Sequence, residues 1–157
     1  MLVKNLAAAL ALSVTAVSVG PATAQNINAD PNYETVQLST GFTPDPHYIR
    51  LQSGGSIDAQ TISNSCRGFI SDAPDVRLHF EAGQLPLLIS ALSDSDTTLV
   101  INAPNGRWYC DDDSGDGLNP SVRFDPAMSG RYEIWVGTYG GRSLEETRLS
   151  ISELYSQ

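Results

Sequence analysis

The sequence predicts an all-β fold, an antiparallel β-sandwich of jelly-roll type in one domain, and three observations predict it. Short runs rich in Val, Ile, Thr, Tyr and Phe recur between Gly, Pro, Asn and Asp turn signals. No stretch carries the period of a long helix, and no helical segment is available to cross over between parallel strands. Several runs alternate apolar with polar residues, the pattern of a strand with one buried face.

In chain order the strands are expected at Glu34–Ser39, His47–Gln52, Ser56–Ala59, Val76–Glu81, Pro86–Leu92, Thr97–Ala103, Arg107–Cys110, Val122–Asp125, Arg131–Thr138 and Glu146–Ser152. In the Val76 run, Val76, Leu78 and Phe80 point one way and Arg77, His79 and Glu81 the other. In the Arg131 run, Tyr132, Ile134 and Val136 alternate with Glu133 and Trp135, which places the latter pair on a wet face. Ala103-Pro104-Asn105-Gly106-Arg107 is a tight reversal, so Thr97–Ala103 should pair with Arg107–Cys110.

The start of the chain reads differently. Lys4, an apolar run from Leu6 to Val19 and the small-residue site Pro21-Ala22-Thr23-Ala24 form a secretory signal peptide over 1–24. Its apolar run is too short for a spanning helix of about 20 residues. Cleavage after Ala24 leaves 133 residues with eight arginines, no lysine and 18 carboxylates, a net charge of −10. Such a chain repels phosphate backbones and anionic lipid, which excludes nucleic acid and membrane insertion of the mature chain and leaves cations and basic partners open. Residues 25–33 (QNINADPNY) read as a loose polar lead, and 34–157 as the folded domain.

Export to the periplasm or beyond makes Cys66 and Cys110 a disulfide pair. Closing a 44-residue loop adds about 3 to 4 kcal/mol in the chain-entropy account. A zinc site is poorly served by two cysteines without a C-x-x-C spacing or clustered histidines.

The densest chemistry is Asp111-Asp112-Asp113-Ser114-Gly115-Asp116-Gly117, four carboxylates in seven residues. Asp112, Ser114 and Asp116 have the oxygen spacing that opens a calcium loop, Gly117 permits the bend, and Leu118 can add a carbonyl. The closing bidentate Glu is missing: Arg123 stands at position twelve of a loop that starts at Asp112, so the loop is no EF-hand and must borrow oxygens. Asp94 and Asp96 are the natural lenders, because the hairpin brings Asp96 and Asp111 to the same open end. Two readings stand, a shared calcium ion or a pair of solvated turns.

Asp113-Ser114-Gly115 also carries the core of a trypsin-like nucleophile motif. A serine nucleophile needs a positioned base, and neither His47, beside two prolines, nor His79, on a wet strand face, lies in such a setting. Asp116 replaces the motif's second glycine, and 133 residues cannot build two six-stranded barrels. The expectation is no enzyme, with a hydrolase using Ser114 as the rival. Trp135, out of phase with its apolar neighbours, is the tryptophan expected on the surface, where it could stack on a sugar.

Taken together, Asp94, Asp96, Thr98 and Leu99, the Pro104-Asn105-Gly106 turn, the Asp112-Asp113-Ser114-Gly115 loop and Ser129-Gly130-Arg131-Tyr132 leading to Val136-Gly137 resemble the bacterial pre-peptidase C-terminal domain. Cys66-Arg67-Gly68-Phe69-Ile70 and Pro74-Asp75-Val76-Arg77-Leu78 look like a stand-alone, secreted proteobacterial branch of it. The resemblance implies a non-catalytic β-sandwich, often able to bind calcium, that serves attachment outside the cell to a protein or carbohydrate ligand. It departs from the family in having no catalytic domain attached.

Overall fold

The computed structural model describes residues 25–157; the leader read over residues 1–24 lies outside them. Eleven strands form two sheets: β1 (Glu34–Ser39), β2 (His47–Ser53), β3 (Ile57–Asp58), β4 (Phe69–Ile70), β5 (Val76–Glu81), β6 (Leu87–Leu92), β7 (Thr97–Asn102), β8 (Trp108–Asp111), β9 (Ser121–Phe124), β10 (Gly130–Thr138) and β11 (Glu145–Ser152). The larger sheet holds β1, β5, β10, β7 and β8, with β4 and β3 continuing along β10 beyond the end of β5. The smaller sheet runs β2-β11-β6-β9. Among the described residues no helix is long and apolar enough to cross a membrane.

The strands form where the alternation places them. In β5, Val76, Leu78 and Phe80 are buried and His79 and Glu81 exposed. Their apolar faces meet Ile89 and Ala91 of β6 and Leu149 and Ile151 of β11 in one core between the sheets. The β7–β8 hairpin pairs Leu99 with Asp111 and Asn102 with Trp108. Its turn closes through Gly106 N–H donating to the Ala103 carbonyl at 2.8 Å, and Gly106 takes the positive φ of 74° that a side chain would resist.

Three features depart from the reading above. β1 and β5 run parallel, Glu34 beside Val76 through Ser39 beside Glu81, which is possible without a crossover helix because β2, β3 and β4 fill the connection.

The second is β10, which has no wet face over most of its length: Glu133 is 1% exposed and Trp135 fully buried. Trp135 is therefore no surface stacking platform. The segment from Ala59 to Ile70 folds across the outside of the larger sheet and packs Ala59, Cys66 and Ile70 with Trp135 and Val100 in a second apolar cluster. The Cys66–Cys110 disulfide, Cα atoms 5.1 Å apart, fastens that cover to β8. Glu133 is held by Arg77 Nε at 2.6 Å and Arg131 Nε at 2.9 Å.

Third, the polar lead is docked rather than loose. Gln25 donates to the Ser71 carbonyl, Asn32 N–H to the Pro74 carbonyl, and Arg77 reaches the Ala29 carbonyl at 2.7 Å.

Candidate functional site

The two acidic segments meet at one end of the sandwich because the β7–β8 hairpin carries Asp96 and Asp111 on neighbouring strand ends. Asn119, which the sequence did not single out, joins them. Its side chain is 6% exposed and makes four hydrogen bonds. Oδ1 accepts from Ser93 N–H at 3.0 Å and from the Thr97 hydroxyl at 2.9 Å, and Nδ2 donates to the Ser93 and Asp116 carbonyls. The β6–β7 turn and the 111–119 loop thus share one amide.

Asp111 organises its own loop. Its Oδ1 accepts from the Ser114 hydroxyl at 2.6 Å, and its Oδ2 from the N–H groups of Ser114 at 3.0 Å and Ser121 at 2.8 Å. The carboxylate thus bonds the backbone three residues on and also the first residue of β9. Gly115 lets the loop lie close, since a Cβ there would stand 2.5 Å from the Gln157 carbonyl and 2.7 Å from that of Asn119.

These bonds sort the expected ligand set. The Ser114 hydroxyl donates to Asp111, and the Leu118 carbonyl accepts Thr97 N–H at 3.3 Å, which leaves lone pairs on both oxygens. Asp94 and Asp116 are exposed, and Asp94 faces a groove on the smaller sheet. Asp96 is different. Its Oδ1 is buried with no hydrogen-bond partner, and burial, followed by the charges of Asp113 and Asp112, holds its carboxyl above the ordinary range. Among the described residues no three His, Cys, Asp or Glu side chains stand in metal-ligating geometry, and none of Asp94, Asp96, Asp111, Asp112, Asp113 and Asp116 forms an ion pair. Asp112 and Asp113 act on the Asp96 carboxyl through their charge without forming a ligand cluster with it, so a hard cation would have to draw the three together. Asp113 was not in the expected set, and the Ser114 and Leu118 oxygens keep lone pairs that a cation could use.

A second carboxylate lies deep in the larger sheet. Asp75, 2% exposed, accepts Val136 N–H at 2.8 Å through Oδ2 and Asn32 Nδ2 at 3.0 Å through Oδ1. Val136 lies past Ile134, where β10 leaves β5, and before Thr138, where it meets β4, so the carboxylate fills the gap in the ladder. Burial pushes its pKa up to about 6 against the pull of those hydrogen bonds.

No protein-family model matches the chain, and no curated protein matches it. Solved structures are similar to it, among them two at low sequence identity. One is the pre-peptidase C-terminal domain of a collagenase from Bacillus anthracis, 16% identical over 80% of this chain and 99% of that one, with a TM-score of 0.48. The other is a periplasmic inhibitor of g-type lysozyme from Aeromonas hydrophila, 14% identical over 76% of this chain and 96% of that one, with a TM-score of 0.37.

Proposed function

We propose that the protein is a non-catalytic attachment module, secreted or periplasmic, whose acidic edge takes up a calcium ion that stabilises the β6–β7 and β8–β9 loops. The observation that carries this reading is the buried, unpartnered Oδ1 of Asp96 beside the charges of Asp112 and Asp113. Carboxylates crowded together oppose ionisation, and a divalent cation among them reverses the sign of that interaction. An all-oxygen set suits calcium better than magnesium, which demands a tight octahedron.

Two further observations support the reading. The Cys66–Cys110 disulfide suits an oxidising compartment. The Ser114 hydroxyl donates to Asp111, whose other oxygen is held by two backbone N–H groups, and no histidine hydrogen-bonds to Ser114 among the described residues. Calorimetric titration of metal-free protein with calcium chloride tests the proposal. Saturable heat at one site, reduced in Asp96→Asn, is expected; no heat at millimolar calcium would refute it.

A further inference from the structure

The outer face of the smaller sheet carries a groove of about 690 Å³ that the acidic edge does not account for. Arg50 of β2 and Arg148 of β11 stand directly opposite one another across an antiparallel pair and both line it. Like charges so placed repel, and neither arginine has an ion pair among the described residues. Residues 1–24 contain no Asp or Glu that could supply one. Three of the eight arginines, Arg50, Arg123 and Arg148, lie on this sheet of an acidic chain, and only Arg123 is paired, with Asp125.

The groove is also prearranged. The Arg148 guanidinium lies 4.5 Å over the Tyr48 ring, its Nη2 donates to Gln157, and its Nε is buried with no partner. Tyr33 is fixed on the wall by two bonds to one residue, its hydroxyl accepting Gln52 N–H at 2.8 Å and donating to the Gln52 carbonyl at 3.2 Å. Asp94 and Glu146 stand on the rim without ion pairs. Two guanidinium groups without an ion pair call for a carboxylate, two rim carboxylates accept hydroxyl donors and repel a polyanion, and the half-exposed Tyr33 ring offers a stacking face.

We infer that this groove binds a saccharide bearing a single carboxylate, a uronic-acid-type sugar, with the carboxylate on Arg50 and Arg148, hydroxyls on Asp94 and Glu146, and a ring against Tyr33. The inference goes beyond the calcium reading and does not rest on it.

Calorimetric titration of the full protein in metal-free buffer tests it. The probes are a disaccharide of galacturonic acid and a neutral sugar, its uncharged galactose counterpart, inorganic phosphate and a short Asp/Glu peptide. The acidic disaccharide should bind saturably, and the neutral one about tenfold or more weaker. Arg50→Gln, an exposed change that leaves the core untouched, should weaken the acidic disaccharide by a similar factor, and Tyr33→Ala should weaken both sugars. No heat with the acidic disaccharide, or undiminished binding in Arg50→Gln, would overturn the proposal. Phosphate or peptide binding as tightly as the sugar would likewise overturn it, in favour of a general anion site or a protein-binding face.

Discussion

The Asn119 carboxamide and the backbone N–H and C=O of Ser93 exchange two hydrogen bonds, each 3.0 Å long, as if Asn119 were one more residue of a β-ladder. With its bonds to Thr97 and Asp116, this buried amide sets the distance between the two acidic loops. Removing it leaves several buried polar groups unsatisfied at once. Asn119→Ala should lower stability by about 2 to 4 kcal/mol in urea unfolding, several times the effect of Asn105→Ala on the exposed hairpin turn.

The disulfide fastens the Ala59–Ile70 cover over Trp135. Cys66→Ala with Cys110→Ala should therefore cost about 3 to 4 kcal/mol and shift tryptophan emission to the red as water reaches Trp135. Trp135→Ala, which empties the same cluster, should cost about 3 to 5 kcal/mol with the disulfide intact.

Much of the fold is legible in the residue pattern, and what is not has an identifiable cause. Val76, Leu78 and Phe80 announce a one-sided strand because their period is local, and the Pro104-Asn105-Gly106 turn announces its hairpin for the same reason. Trp135 misleads because its cover is a polar, Ser- and Asn-containing segment without periodicity, brought there by tertiary packing. The parallel pairing of β1 with β5 joins residues about forty apart and leaves no local mark. At the acidic edge the meeting of the two loops follows from the hairpin. The division of labour does not: Asp111 binding its own loop and Asn119 joining the two are decided by hydrogen bonds that composition does not encode.

Asp75 gives the protein a pH dependence of unusual sign for a carboxylate. Its folded pKa of about 6 lies above the ordinary 3.8, so the folded state holds the proton more tightly than the unfolded chain does. Its contribution is most favourable below pH 4 and is lost as pH rises through 6, a change of about 3 kcal/mol. Carbon-detected NMR of the side-chain carboxyl should place the Asp75 midpoint near 6. Asp75→Asn should remove this part of the stability change between pH 4 and 6 while keeping an oxygen for Val136.

Thermal unfolding with calcium and with chelator tests the central claim most directly. At about 10 mM calcium, with the affinity usual for extracellular modules, linkage raises stability by about 1.5 to 2.5 kcal/mol and the melting temperature by about 5 °C. Magnesium should do much less. Asp96→Asn should melt higher than the parent in chelator, because a like charge has gone, and lose the calcium increment. A melting curve that is the same in calcium and in chelator would contradict the account and leave the acidic edge a pair of solvated turns.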